Sequence, residues 1–208
     1  MTGWQEDFAY GKFWVDHLVP WLKQRRVSVI RARDTGHDGA PLIELPYLDQ
    51  PNDDLVLFWA GRVEFWEVKS KRDTGVLIVA GDAPTTGCDT KCVDQGYRVE
   101  RETAWPVRFV FVHPHRNEVL LARLVDFDPR LTRGNGGARG ERLSYCDIRR
   151  LEPLCTTDEL LALEPSDKAG SVAWPAWLPK RKVVPQQQML FELPVRRPPV
   201  GVKGWPRP

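Results

Sequence analysis

The chain predicts an α/β (α+β) domain with a mixed central sheet flanked by helices, followed by an extended, proline-rich tail. Three observations carry this. An amphipathic helical stretch opens the chain, β-rich runs and a second helical stretch alternate after it, and the composition changes near residue 171. A length of 208 residues supports one hydrophobic core. Apolar residues at 42% and charged residues at 28% place the chain with ordinary globular proteins, away from disordered or membrane classes. The expected division is a domain over 1–170 and a tail over 171–208.

Residues 4–22 read as a helix, because Trp4, Phe8, Gly11, Val15, Leu18 and Leu22 recur at spacings of three and four and make one apolar stripe. Pro20 is expected to kink or shorten its last turn. A short β-rich run follows over 27–32. Residues 34–53 read as loop, punctuated by Gly36, Gly39, Pro41, Pro46 and Pro51, with a short strand around 42–45. The runs 54–59 and 63–69 are strand-like and flank Ala60-Gly61-Arg62, which predicts a β-hairpin. A glycine- and threonine-rich stretch over 81–89 leads into a helix over 90–103. Strands over 107–112 and 118–124 come next, then a glycine-rich segment over 133–142 that orders at high entropic cost. A strand near 143–148 and a short helix near 157–163 close the domain.

Net charge is +2, yet it is unevenly spread. The tail sets Lys180, Arg181, Lys182, Arg196, Arg197, Lys203 and Arg207 against Glu192 alone, on a mildly acidic body. Such a tail either adds phosphate affinity or simply solvates the chain. No apolar run approaches the roughly 18 to 20 residues of a membrane span. The opening Met-Thr-Gly-Trp-Gln-Glu-Asp lacks the plan of a signal peptide, so a soluble protein of the cytoplasm is expected, in a bacterial or phage-infected cell. Cys88, Cys92, Cys146 and Cys155 are then expected as free thiols, with a metal site as the alternative.

The hairpin gathers the chemistry. Side chains alternate along a strand, so Glu67 and Lys69 leave the same face. If Trp59 pairs with Val63, residue 54 falls opposite 68; if Trp59 pairs with Arg62, it falls opposite Glu67. Either register sets Asp54 beside the Glu67–Lys69 pair, with Asp53 as its competitor. Two carboxylates suit a hard cation such as Mg²⁺ or Mn²⁺, and the carbonyl of Val68 is a further oxygen donor. An ammonium beside them suits phosphodiester hydrolysis.

Asp54, followed by Glu67-Val68-Lys69-Ser70-Lys71, resembles the D…E-x-K signature of the PD-(D/E)XK nuclease superfamily, which includes restriction-endonuclease-like and Holliday-junction-resolvase-like enzymes. The resemblance covers about 10–125. It implies a restriction-endonuclease-like sheet and a metal-dependent DNA endonuclease, with branched DNA in recombination or repair as one substrate class. Asp54, Glu67 and Lys69 would be catalytic. Asp16 (or Glu6) matches the acid that an early helix carries in that superfamily, and Gln95 matches a glutamine on a later one. A homodimer is implied within the resolvases, since two symmetric cuts require two sites. The proline of the signature is displaced, as the segment reads Pro51-Asn52-Asp53-Asp54.

Lys71, Arg133 and Arg139 are candidate phosphate contacts, with Arg130 and Arg142 near the same loop. Gln187-Gln188-Met189-Leu190-Phe191 resembles the pentapeptide by which bacterial replication and repair proteins bind the sliding clamp, so Gln187, Leu190 and Phe191 are expected to reach that partner. The alternative is that the pair packs back on the domain. His113-Pro114-His115 reads as a strand-end turn, and Trp174, Trp177 and Trp205 as surface-docked or base-stacking aromatics. A second functional class remains: a non-catalytic adaptor, binding DNA or the clamp on a nuclease-like scaffold, which would not need the carboxylates.

Overall fold

The computed structural model describes residues 3–31, 55–71, 77–79, 83–131 and 142–164. Helix α1 (Gly3–Gln24) leads into strand β1 (Ser28–Arg31). Strands β2 (Leu55–Trp59) and β3 (Arg62–Ser70) form the hairpin, and β4 (Leu77–Val79) and β5 (Ala83–Asp89) precede helix α2 (Thr90–Thr103). After it come β6 (Val107–His113), β7 (Glu118–Arg123), β8 (Leu143–Asp147), β9 (Glu152–Cys155) and helix α3 (Thr157–Leu161).

Six strands make the central sheet in the order β1-β2-β3-β6-β7-β9, and β4-β5-β8 make a smaller one. The central sheet is mixed: β3 and β6 run parallel, and its other described pairs are antiparallel. Parallel neighbours need a long crossover. Here that crossover carries β4, β5 and α2, which brings the smaller sheet and the second helix over one face of β3. The fold is therefore an α/β arrangement with a central mixed sheet flanked by helices, as the element order predicted.

The hairpin takes the tighter of its two registers. Trp59 pairs with Arg62 and Leu55 with Trp66, so the turn is Ala60-Gly61 alone. Both turn residues have positive φ, 48° and 75°, the type I′ geometry whose twist matches the strands it joins. Alternation then sorts the side chains of β3. Trp66 and Val68 enter the cluster with Trp14, Leu18 and Leu22 of α1, while Phe65 enters the opposite cluster with Val93 and Val99 of α2.

Helix α1 departs from its predicted stripe. Phe8 is 47% exposed, whereas Tyr10, Phe13, Trp14, Val15, Leu18, Val19, Trp21 and Leu22 are all buried. From Phe13 onward the helix is covered nearly all round by the sheet and α3, so the apolar positions no longer mark one face. It also runs through Pro20 to Gln24. The proline removes one backbone bond, but burial of Val19, Trp21 and Leu22 holds the turns on either side. The helix ends in a Schellman arrangement, with Val27 N–H on Leu22 O at 3.2 Å and Arg26 N–H on Lys23 O at 2.9 Å around Arg26 at φ 61°.

Helix α2 spans 90–103 as predicted and stops where Ala104 turns left-handed at φ 59°. It lies close to the sheet because Gly96 has no side chain: a Cβ there would meet Leu124 Cδ2 at 3.0 Å and Val107 Cγ1 at 3.2 Å. Asn117, at the β6–β7 turn with φ 53°, accepts bonds from Thr157 Oγ1 and Asp158 N–H at 2.8 and 3.0 Å, and so anchors the start of α3. His113 closes β6, followed by a single 3₁₀ turn over Pro114–Arg116, in line with the strand-end reading. Strands β4, β5 and β9 were not predicted. The expected strand at 42–45, the glycine-rich segment up to 141 and the tail lie outside the described residues, as do Asp53, Asp54, Arg133, Arg139, Gln187, Leu190 and Phe191.

Candidate active site

Glu67 and Lys69 leave β3 on the face that carries Phe65, toward α2 and β5. Glu67 is only 6% exposed, which would be costly for a lone carboxylate. The Lys69 ammonium pairs with its Oε1 and offsets that cost. Lys69 remains more open than its partner, at 27% side-chain exposure against 7%. Its ammonium also meets the thiol of Cys92, on the first turns of α2. Gln95, half-buried, sits one turn beyond Cys92 on the same helix.

Lys71 continues the same face of β3. Its Nζ donates to the carbonyl of Gly87 on β5 and lies 5.7 Å from the centre of the Phe111 ring. The contact clasps the smaller sheet onto the central one. Burial lowers the Lys71 pKa, and the neighbouring Lys69 charge lowers it further. Beyond it, the Tyr10 hydroxyl of α1 donates to the Lys71 carbonyl at 3.0 Å and fixes the end of the strand.

Backbone direction matters for Val68. The bonds from Phe65 N–H to Pro106 O and from Lys71 N–H to Val112 O mark the odd-numbered residues of β3 as those facing β6. The peptide groups of Val68 therefore turn toward the β2 side. Leu55, the neighbour of Asp54 in the chain, is opposite Trp66, the neighbour of Glu67.

Asp16 is not brought to this group. It is 2% exposed on the α1 side of the sheet, paired with Arg31 Nη1 at 2.6 Å and with Lys12 Nζ at 2.7 Å. Its position is that of a buried ion triad joining α1 to β1. Arg130, one of the loop arginines, is forked onto Asp128 in its own turn, at 3.0 and 2.8 Å.

The cysteines do not converge. Cys88, Cys92 and Cys146 belong to the α2 side of the sheet, and Cys155 packs on the α1 side. All four are free thiols. Burial pushes Cys92 up to about 11 and Cys146 up to about 12, so both hold their protons at neutral pH. Among the described residues, no three His, Cys, Asp or Glu side chains gather as a metal site. The fit to a hard divalent cation rests on the oxygen donors at the edge of β3, which are the Glu67 carboxylate and the Val68 carbonyl.

One feature was missed from the sequence. Lys69, Lys71, Gly87, Cys88, Asp89, Leu143 and Tyr145 line a concavity of about 200 Å³. Asp89 sits at the junction of β5 and α2, and its place before a helix start was a legible N-cap signal. Nothing local showed that β5 and β8 would pair to close the concavity. No helix among the described residues is long and apolar enough to cross a membrane.

The site and fold thus define an α/β protein with an acid–lysine pair on the inner face of a central strand. No family model matches the chain, and no curated protein matches it. Among solved structures it is similar to the Holliday junction resolvase of Archaeoglobus fulgidus, an archaeal hyperthermophile, at 13% identity and a TM-score of 0.40. That match covers 64% of this chain and 86% of the other.

Proposed function

We propose that the chain is a metal-dependent deoxyribonuclease that hydrolyses phosphodiester bonds at the edge of β3. The observation that carries this is the buried Glu67 carboxylate paired with a more open Lys69 on the same strand face, one residue beyond the end of the β2 pairing. Asp54, Glu67 and the Val68 carbonyl would hold Mg²⁺ or Mn²⁺, which when bound supplies charge stabilisation at the scissile phosphate and a water of lowered pKa. Lys69 presents an ammonium, held by Glu67, to the attacking water or to a phosphate oxygen. Gln95, half-buried one turn past Cys92, would help to orient either.

The test is incubation of the full chain with linear, single-stranded, flapped and four-way-junction DNA in Mg²⁺ or Mn²⁺, beside Lys69→Ala and Glu67→Gln. Metal-dependent cleavage is expected, with a loss of about 100-fold or more in each variant, the scale of removing one charge-stabilising group. Cleavage that survives both substitutions rejects the assignment. Absence of cleavage on every substrate, with DNA binding intact, leaves the adaptor reading in its place. A preference for four-way junctions would call for two copies of the chain, because the cuts are paired.

A further inference from the structure

Lys71 is tied at three points. Its backbone N–H donates to Val112 O of β6 at 2.9 Å, and its carbonyl accepts from the Tyr10 hydroxyl of α1 at 3.0 Å. Its Nζ donates to the Gly87 carbonyl of β5. The residue thus joins the central sheet, the first helix and the smaller sheet at one position. The acceptor end cannot yield, because Gly87 lies against main chain: a Cβ there would come within 2.2 Å of Ser144 O and 3.1 Å of Ser144 C.

From Gly87 the chain returns to the proposed catalytic pair. Cys88 and Asp89 follow it, α2 begins, and Cys92 on the first turns of α2 meets the Lys69 ammonium. Lys69 in turn pairs with Glu67. The contacts close a ring: Lys71 to β5, β5 to α2, α2 to Lys69, and Lys69 back along β3. Like charge acts in the same direction. Lys69 and Lys71 leave one face of β3 two residues apart, roughly 7 Å along the strand. The Lys71 ammonium is committed to Gly87, so their repulsion falls on Lys69 and favours its place on Glu67. Lys71 also turns its ammonium into the gap between the two sheets, where burial disfavours the charge. A surface phosphate calls for the opposite placement, an ammonium that reaches outward into solvent.

We infer that Lys71 is a positioning residue and not a phosphate contact: it fixes β5 and the start of α2 against β3, and so holds Lys69 on Glu67. Its effect on cleavage rests on the nuclease reading, whereas the positioning itself does not.

The experiment uses the full chain as wild type, Lys71→Met and Gly87→Ala, each held below its own melting temperature. Binding of linear and four-way-junction DNA in Ca²⁺ is measured across a salt series, and cleavage in Mg²⁺ is resolved into kcat and KM. Lys71→Met should leave the slope of log K against log[salt] unchanged, where loss of a phosphate contact would lower it by about 0.9. Its kcat should fall by about tenfold or more at an unchanged KM, the scale of a misplaced group. Gly87→Ala should share that loss, and the double variant should be no worse than the more impaired single one. Iodoacetamide labelling of Cys92 at pH 8, read by mass spectrometry, follows the same ring without any need for cleavage. Lys71→Met should label several-fold faster than wild type, and Asp16→Ala, weakened elsewhere in the fold, should not. A reduced salt slope, a full kcat in Lys71→Met, or labelling that rises equally in Lys71→Met and Asp16→Ala overturns the inference. Faster labelling in Lys71→Met with no cleavage by the wild type supports the positioning and counts against the nuclease reading, so the two fail separately. If Lys71→Met does not fold, Gly87→Ala supplies the kcat, KM and labelling results, since it draws the same carbonyl away and leaves the Lys71 charge in place.

Discussion

Gly87→Ala probes the contact on which the candidate site is built. Strand β5 crosses β8 so closely at Gly87 that an added Cβ would lie 2.2 Å from Ser144 O, 3.1 Å from Ser144 C and 2.8 Å from Tyr145 Cδ1. Two of those atoms are main chain in a paired strand, so neither can rotate away. Relief requires β5 and β8 to separate, which breaks ladder bonds and pulls the Gly87 carbonyl from Lys71. Overpacking of this kind costs about 1 to 3 kcal/mol, and weakening the Lys71 bond adds about 1. A domain of this size loses roughly 2 to 4 °C of melting temperature per kcal/mol, so a drop on the order of 5 to 15 °C is expected. Gly96→Ala is the internal control. Its nearest neighbours are the ends of Leu124 and Val107 side chains at 3.0 and 3.2 Å, which can shift, and alanine raises helix propensity by about 1 kcal/mol. Differential scanning calorimetry of both variants settles the matter. A Gly87→Ala protein that melts within about 2 °C of wild type, or a Gly96→Ala protein that is hurt more, refutes the packing argument.

Three further expectations can be checked with the same protein. Asp16→Ala removes the buried carboxylate that pairs with Arg31 and Lys12 and should cost about 1 to 3 kcal/mol, read as a lower denaturation midpoint; an unchanged midpoint would show that the triad is not structural. Burial lifts Cys92 to about 11 and Cys146 to about 12, above the ordinary 9.0 of an unfolded thiol. The folded chain therefore holds these protons more tightly than the unfolded one, so their contribution is complete below about pH 9 and is lost as pH rises from 9 toward 12. Urea midpoints measured across that range should fall, and alkylation at pH 8 should be slow until the chain is unfolded; a thiol that reacts at the unfolded rate would contradict this. Ala60→Asn replaces a left-handed alanine at φ 48° in the hairpin turn with a residue that tolerates the conformation, and should stabilise by about 0.5 to 1 kcal/mol. A loss of stability there would mean that the turn is not type I′ in solution.

Some of this protein was legible along the chain because the interactions concerned are local. The hairpin followed from two β-rich runs around Ala60-Gly61, and helix α2 from its flanking breakers; the acid–lysine pair followed from the two-residue repeat of a strand. Distance along the chain is what hid the rest. Strand β5, Ala-Pro-Thr-Thr-Gly-Cys-Asp, sets the β-favouring Thr85 and Thr86 among Pro84, Gly87 and Asp89, which strands avoid, and is held as a strand by its pairing with β4 and β8. Helix α1 is long and apolar on several faces, so the choice of which face to expose was made by the sheet and α3, leaving Phe8 outside and Trp14 fully buried. Asp16 could be counted as an acid on a helix, but its partner Arg31 lies on β1, and only their meeting turned it into a buried triad. The Lys71 clasp and the concavity need β3, β5 and β8 together, three segments far apart in the sequence and brought into contact by burial. Periodicity thus determined which side chains share a strand or helix face, while tertiary contact decided which faces meet, because the free energy of burial belongs to pairs of elements and not to either one alone.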